Sequence, residues 1–373
     1  MSKISKKIFL DAPEIGVPEK KFVNEALDTG YVSTVGPFVP RFEEEFAGYV
    51  RTGKAVSTQS GTAAIHMALY ELGISKGDEV IVPALTFVAT VNPVIYVGAK
   101  PVFADVDAGT WNIDPDDIEK KITKRTKAII PVHLYGNPCD MAGIMRIARK
   151  HRLHVIEDAT ESLGATHASG YTGTHGDMGC FSFNGNKTIT TGGGGMVVSR
   201  DPARIDHIKF LVNQARDESR GYYHPEVGFN YRMTNIEAAL GLAQMRSLKA
   251  FVRKQKDLNG IYREELRGVD ILRFQEEYNG AKSSWWMSCV LVEGKTDIEK
   301  LRMELKGKGV PTRRVFMPVV EFPPYKAAKR SNYKNSYHIY ERGLCLPSST
   351  LNSEEDIRYV ARTLKDTLSR RGA

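Results

Sequence analysis

From Lys54 onward, short strand-like segments alternate with segments whose apolar residues recur at helical spacing. Between the first two strand-like segments, Ile65, Ala68, Leu69 and Leu72 lie at i, i+3, i+4 and i+7, which predicts a helix over 62–72. This alternation predicts an α/β fold with a mostly parallel sheet between helices. The strand-like segments are 55–57, 79–82, 101–103, 128–132, 153–156, 180–183 and 195–198.

The regular alternation fades after about residue 250 of the 373. A chain of this length favours two domains, so we predict a large domain over 1–250 and a smaller C-terminal α/β domain over 251–373. A long helical run from 235 towards 258 bridges the two. Further predicted elements are helices at 18–29, 40–49, 298–305 and 354–368 and a strand at 289–292.

Composition excludes several classes of protein. Lysine and arginine exceed aspartate and glutamate by 52 to 44, but the surplus is spread along the chain, which argues against nucleic-acid binding. The four cysteines form no Cys-x-x-Cys pair, so we expect reduced core thiols and neither disulfides nor a metal site. No segment has the apolar length of a signal peptide or a membrane span. We therefore expect a cytoplasmic protein.

Two polar clusters follow predicted strands, at the sheet edge where α/β proteins bind ligands. Ser60, Gly61 and Thr62 come between a strand and a helix, where backbone amides can approach a phosphate. Glu157 and Asp158 directly follow the segment 153–156, and a carboxylate there could hold a pyridine nitrogen protonated. Each cluster could also be an ordinary helix cap.

Lys187 lies in a polar turn between two predicted strands and is followed by four glycines at 192–195. A desolvated lysine in such a turn can act as a nucleophile on an aldehyde, although most loop lysines are solvated. A run of glycines suits a turn that needs close backbone approach. The run does not fit a dinucleotide fingerprint, because valines stand at 197 and 198 and because it precedes a strand.

The spacing of Asp158, Ser182, Lys187 and the glycine run resembles that of the DegT-type sugar-nucleotide aminotransferases, which have the aspartate-aminotransferase fold (fold type I). The similarity extends over nearly the whole chain and includes 34–39, 59–64, 85–90, 131–136 and 228–233. It implies pyridoxal 5′-phosphate (PLP) as cofactor, pyridoxamine 5′-phosphate as its amino form, and a homodimer with shared active sites.

The resemblance also implies residue roles. Lys187 is the catalytic residue, which bonds to PLP and carries protons, and Asp158 pairs with the pyridine nitrogen. Phe87 covers one face of the ring, and Glu161 lies near the ring hydroxyl unless it is simply a first-turn acid. The implied phosphate contacts are Gly61, Thr62, Ser182 and, from the neighbouring subunit, Asn230.

The four glycines at 192–195 indicate one branch of this aminotransferase family, because many relatives have Gly-Glu-Gly-Gly at these positions. The loop is similar to that of enzymes that transfer an amino group from L-glutamate to C4 of UDP-linked 4-keto-6-deoxy-N-acetylglucosamine, on the bacillosamine and legionaminic acid routes. GDP-perosamine synthases share much of this loop and are the alternative. The candidate substrate contacts are Asn184, His133, Arg232 and Arg314, with Arg313 beside it.

Two other functions stay open at this point. Some relatives are dehydratases that carry histidine in place of the lysine, and Lys187 argues against that function. A non-catalytic binding protein of the same fold would have lost its cofactor. Asp158, Ser182 and Lys187 together disfavour that alternative.

Overall fold

A computed structural model describes residues 7–168, 170–325 and 332–370. The central sheet has seven strands in the order β1-β9-β8-β5-β4-β2-β3. Two further short strands, β6 and β7, form a separate small sheet with β11 (Ala281–Lys282). The first nine strands are β1 (Lys54–Thr58), β2 (Glu79–Pro83), β3 (Lys100–Ala104), β4 (Thr126–Ile129), β5 (His154–Asp158), β6 (Thr166–His167), β7 (Gly170–Tyr171), β8 (Met178–Ser182) and β9 (Gly195–Ser199).

Each of the seven strands predicted from the sequence is present in the central sheet. Strands β3, β2, β4, β5 and β8 pair in parallel, and β9 is antiparallel to both of its neighbours. The prediction of an α/β fold with a mostly parallel sheet is therefore confirmed. The reversed β9 brings the chain back beside β1, so the loop between β8 and β9 is anchored at both ends.

Helices cover both faces of the sheet. Adjacent strand residues such as Cys180 and Phe181 belong to different apolar clusters, because side chains alternate between the faces of a strand. One face packs against α3, α4 and α7, and the other against α1, α2, α5, α6 and α8. These helices are α1 (Val17–Asp28), α2 (Phe38–Val50), α3 (Gly61–Glu71), α4 (Asn92–Tyr96), α5 (Pro115–Lys121), α6 (Met141–His151), α7 (Pro202–Val212) and α8 (Asn235–Met245).

The long helix predicted from 235 towards 258 is interrupted at Arg246 and Ser247, where α8 ends and α9 (Leu248–Glu265) begins. Thr234 and Glu237 form a capping box that begins α8. Helix α8 packs with α1 and α2, and α9 begins in the same apolar cluster with Leu248 and Phe251. Further along, α9 carries Leu258 and Tyr262 into a C-terminal cluster.

The C-terminal part of the chain contains a four-stranded antiparallel sheet in the order β10-β12-β14-β13. Val290 and Leu344 face one apolar cluster, and Cys289 and Cys345 face another, beside the central sheet. The boundary proposed near residue 250 falls within α9 and stays a prediction. The remaining elements are β10 (Leu272–Phe274), β12 (Ser288–Val292), α10 (Ile298–Gly307), β13 (Arg313–Arg314), α11 (Lys334–Arg342), β14 (Gly343–Leu346) and α12 (Glu354–Ser369).

In the described ranges, no helix combines the length and the apolar character needed to cross a membrane.

Candidate active site

The loop between β8 and β9 presents Lys187 at one edge of the central sheet. Its two ends are joined by hydrogen bonds from the Phe183 amide to the Gly194 carbonyl (3.0 Å) and from the Thr191 amide to the Phe183 carbonyl (2.9 Å). The Gly194 amide donates to the carbonyl of Gln59 (2.9 Å). The loop is therefore attached to the turn between β1 and α3.

Close packing makes glycine necessary at the end of this loop. A Cβ at Gly195 would lie 2.5 Å from the carbonyl carbon of Ser60, closer than real Cβ atoms approach backbone. This contact brings the loop against the first residues of α3. The glycine run thus serves close backbone approach, as the sequence indicated.

The amine of Lys187 lies between a carboxylate and an aromatic ring. Its Nζ atom is 3.5 Å from Oε1 of Glu161 and 4.0 Å from the ring centroid of Trp286. Burial lowers the pKa of Lys187, and the carboxylates of Glu161 and Asp158 oppose that shift. Burial likewise raises the pKa of Glu161. Both shifts favour uncharged forms, so a nucleophilic amine is more accessible here than on the surface.

Asp158 stands at the carboxyl end of β5 and is buried. Its Oδ2 accepts a hydrogen bond from the Thr90 hydroxyl (2.7 Å), and its Oδ1 accepts one from the Thr160 amide (3.1 Å). Each carboxylate oxygen can accept a further bond. The carboxylate is thus held in one orientation and can still accept a proton donor from a ligand.

The start of α3 forms an anion-binding surface. The Ser60 hydroxyl accepts from the Ala63 amide (3.1 Å), and the amides of Gly61 and Thr62 have no acceptor in a preceding turn. A Cβ at Gly61 would lie 2.9 Å from Cβ of Ser182, so only glycine leaves this surface open. The geometry suits a phosphate group.

These groups line one cavity of about 350 Å³, a volume suited to a small cofactor and the reacting end of a substrate. Eight of the predicted site residues line it. They are Gly61, Thr62, Phe87, Asp158, Glu161, Ser182, Asn184 and Lys187.

Comparison with known proteins identifies this arrangement. The model of the DegT/DnrJ/EryC1/StrS aminotransferase family matches residues 13–365. The chain belongs to this family. It is 41% identical over 357 residues to the GDP-perosamine synthase of Escherichia coli O157:H7, covering 96% of this chain and 97% of that protein. It is 40% identical to the GDP-perosamine synthase of Caulobacter vibrioides, covering 97% and 98%.

Among solved structures, the chain is similar to the putative sugar aminotransferase Spr1654 of Streptococcus pneumoniae in its PLP form. The TM-score is 0.94 with 27% identity, covering 98% of this chain and 99% of that one. Spr1654 has also been solved in its pyridoxamine 5′-phosphate (PMP) form. The chain is therefore a PLP-dependent sugar aminotransferase of the DegT family, and the predictions of enzyme class, cofactor and fold type I are confirmed.

The pocket of this DegT-family chain fits PLP on its own residues. A cofactor with a phosphate at one end and a pyridine nitrogen at the other needs an anion-binding helix start, an amine and a fixed carboxylate around one cavity. Gly61, Lys187 and Asp158 supply these three groups. In the described parts of the chain, no cluster of three or more His, Cys, Asp or Glu side chains could hold a metal ion.

The expectation that His133 contacts a nucleotide is wrong, because the side chain is completely buried away from the cavity. Its Nδ1 accepts from the Cys139 amide (3.0 Å), so Nε2 carries the proton and donates to Oε2 of Glu157 (3.0 Å). Both ring nitrogens are used within the protein. His133 supports β5 from behind and has no free position for a ligand.

Arg314 does not line the cavity, and its role in substrate binding stays a prediction. Neighbouring residues of a strand face opposite sides, so in β13 it is Arg313 that lines the cavity. Arg314 lies over the ring of Tyr340 (4.2 Å to the centroid) and donates to the Tyr340 carbonyl (2.8 Å). Asp11 accepts a hydrogen bond from Nη1 of Arg313 (2.9 Å).

Asn230 and Arg232 do not line the cavity. Asn230 is exposed, and Arg232 is partly buried. A residue that contributes to a neighbouring subunit's site would lie outside its own chain's cavity, so the role of Asn230 stays a prediction. The role of Arg232 in substrate binding also stays a prediction.

Among the cavity residues to which the sequence analysis gave no role are Thr90, Trp286 and Phe316. Thr90 lay within the segment 85–90 that supported the resemblance, and its hydroxyl could have been considered there. Trp286 and Phe316 come from the C-terminal part of the chain, where no local pattern marked them. Only the packing of that part against the central sheet brings them to Lys187.

Proposed function

We propose that this enzyme transfers the amino group of L-glutamate to the C4 keto group of a nucleotide-linked 4-keto-6-deoxy sugar. The observation that supports this most directly is the meeting of Lys187, Asp158 and the start of α3 around one cavity. Family membership supplies the class of acceptor, a sugar. The GDP-perosamine synthases among its relatives favour C4 as the position aminated.

In this proposal Asp158 would hold the pyridine nitrogen of PLP, and Lys187 would hold the cofactor at its aldehyde end. Gly61, Thr62 and Ser182 hold the phosphate, and Phe87 covers one face of the ring. The bound cofactor supplies an electron sink. Phe87 suits its role because its ring is exposed at the cavity and rests against Phe316, with centroids 5.6 Å apart.

Lys187 acts as the proton carrier once its amine is free. Burial lowers the pKa of the Lys187 amine, so it is more readily neutral than a surface lysine and better able to accept a proton. Glu161 lies within 3.5 Å and stabilises the charged form that results. The same amine can then return the proton to the sugar carbon.

We place a GDP-linked sugar ahead of a UDP-linked sugar as the substrate. The GDP-perosamine synthases match the chain at 41% and 40% identity over nearly their full length. The second candidate is UDP-linked 4-keto-6-deoxy-N-acetylglucosamine, which is favoured by the sequence of the Lys187 loop and its four glycines.

We also propose that the active unit is a homodimer in which Asn230 reaches the cofactor phosphate of the partner subunit. Asn230 is exposed and lies outside the cavity of its own chain. A cytoplasmic location fits an enzyme that uses nucleotide sugars and L-glutamate.

The catalytic assignment is tested by Lys187→Ala. Turnover and the visible absorbance of protein-linked cofactor should both be lost, because no other lysine lines the cavity among the described residues. Lys282→Ala, on an exposed position of β11, is the matched control and should keep both. A Lys187→Ala enzyme that retained both properties would contradict the assignment. A wild-type protein that did not take up PLP would instead favour a non-catalytic binding protein of the same fold.

The substrate assignment is tested by parallel turnover of GDP- and UDP-linked 4-keto-6-deoxy sugars with L-glutamate. A higher kcat/KM for the GDP-linked sugar supports the first candidate. A higher value for the UDP-linked N-acetylated sugar replaces it with the second. Product analysis by nuclear magnetic resonance identifies the carbon that received nitrogen, and amination at C3 would refute the C4 assignment.

A further inference from the structure

Trp286 forms the wall of the cavity beside Lys187 and is fixed in position. Its ring is buried, with 3% of the residue exposed. The indole Nε1–H donates to the carbonyl of Asn186 (2.7 Å), and the ring stacks with Tyr135 at 6.4 Å and 24°. Because both its edge and its face are held, the ring has one orientation towards the cavity.

This ring contacts the Lys187 segment twice. The carbonyl of Asn186 belongs to the peptide bond that precedes Lys187, so the indole N–H fixes the backbone at the lysine. The face of the same ring lies 4.0 Å from the lysine Nζ. A tryptophan face is the best aromatic partner for an ammonium group, and burial strengthens the attraction.

We propose that Trp286, together with Glu161, forms a holding site for the Lys187 amine during the part of the cycle in which the lysine is not bonded to the cofactor. This inference rests on the proposed function and adds a positioning residue to it. The amine then has two defined places, one at the cofactor carbon and one against the indole. A flexible side chain thereby stays within reach of the carbon at which it moves protons.

The charged groups around the amine explain why such a site is needed. Glu161 and Asp158 attract the ammonium, and Arg313 repels it. The Arg313 guanidinium also lies 6.0 Å from the Trp286 centroid. Burial lowers the pKa of Lys187, and the indole face adds stabilisation of the charged form without a further carboxylate. The amine can therefore be protonated and deprotonated in turn.

Trp286→Leu and Trp286→Phe test the proposal in the holoenzyme after L-glutamate has converted it to the PMP form, in which Lys187 is free. Lys187 is acylated with a trace of acetic anhydride across a pH series, and mass spectrometry gives its titration midpoint. We expect the midpoint to fall in Trp286→Leu, because the ammonium loses its aromatic partner. Phe keeps a weaker aromatic face, so its midpoint should fall less.

Trp285→Leu is the matched control. Trp285 is the neighbouring residue and is also buried, but its ring contacts Arg263 (4.8 Å) and does not line the cavity. Its Lys187 midpoint should equal the wild-type value. Equal midpoints in wild type, Trp286→Leu and Trp286→Phe would overturn the proposal, as would a shift of the same size in Trp285→Leu.

A kinetic measurement gives a second, independent test. In Trp286→Phe, which keeps most of the ring volume, we expect the single-turnover rate with keto-sugar to fall about tenfold because the proton carrier is less well placed. The apparent pKa in the pH profile of that rate should shift in the same direction as the titration midpoint of Lys187 acylation. An unchanged rate and limb would refute the holding site. Failure of L-glutamate to produce the PMP form in wild type would instead refute the proposed function.

Discussion

The carboxylate of Asp158 is oriented by a chain of two threonine hydroxyl groups along the cavity wall. The Thr90 hydroxyl donates to Oδ2 of Asp158 (2.7 Å), and the hydroxyls of Thr90 and Thr86 are 2.9 Å apart. Both threonines are 1% exposed. If Thr86 donates to Thr90, every group in the chain is satisfied and the carboxylate has a single orientation.

Thr90→Val tests this dependence at nearly constant volume. We expect kcat to fall about tenfold, because a buried carboxylate that loses a hydroxyl donor is destabilised by about 1–3 kcal/mol and reorients. The Kd for PLP should rise as well. Thr86→Val is the graded control and should have a smaller effect, since it leaves the direct contact to Asp158 intact. Wild-type kcat and Kd in Thr90→Val would contradict the prediction.

At the scale of residues, the sequence identified those whose role depends on their place along the chain. Asp158 follows a strand, Gly61 begins a helix and Lys187 lies in a turn, and all three positions are visible as local patterns. The prediction for His133 was wrong because the direction of a side chain depends on three-dimensional packing. Trp286 was missed because its contact with Lys187 is made entirely by tertiary structure.

The loop between β8 and β9 is the element on which the cavity depends, and its glycines differ in importance. Gly195→Ala should lower the melting temperature and weaken PLP binding, because its Cβ would meet the backbone of Ser60 at 2.5 Å. Gly193→Ala is the matched control in the same loop, since the nearest atom to its Cβ would be Oε1 of Glu237 at an ordinary 3.4 Å. Equal melting temperatures and PLP affinities in the two variants would contradict this account.

Strand β5 is held by a buried hydrogen-bonding centre at Glu157. Its carboxylate accepts from His133 and from the amides of Gly173 (2.8 Å), His175 (2.6 Å) and Gly176 (2.7 Å). Burial acts to raise the pKa of Glu157, but the hydrogen bonds with His133 and the backbone outweigh it and lower the pKa below the usual 4.5. The ionised carboxylate is therefore the stabilising form.

A lowered folded-state pKa means that Glu157 stabilises the fold above pH 4.5 and that this stability is lost as pH falls through the folded-state pKa. Glu157→Gln should cost about 3 kcal/mol at pH 7, and the deficit relative to wild type should shrink below pH 4.5. Urea unfolding from pH 7 to pH 3 measures both. Glu119→Gln, at a surface ion pair with Lys150, is the control and should change the stability little.

At the scale of elements, the periodic pattern predicted the strands of the central sheet and most helices to within a few residues. Such patterns report which side of an element is buried, and this information is local. The interruption at Arg246 and Ser247 was not predicted, because both halves of that run are helical by pattern.

For the whole molecule, the proposed dimer makes a prediction that one subunit alone cannot test. Lys187→Ala and Asn230→Ala enzymes should each have low activity, and unfolding and refolding them together should restore about a quarter of the wild-type rate. Half of the dimers then contain one subunit of each kind, and one of their two sites has both Lys187 and the partner's Asn230. No recovery after confirmed subunit exchange would contradict sharing of the site.

All four cysteine thiols are enclosed by the fold, in the central sheet, beside α6 and in the C-terminal sheet. Cys289 and Cys345 face each other across β12 and β14 with sulfurs 3.4 Å apart, and Cys139 and Cys180 lie in apolar clusters on opposite faces of the central sheet. A coloured thiol reagent should therefore react only when a region opens. Peptide mapping of the modified cysteines would then give a separate rate of opening for the region around each one, without any engineered cysteine.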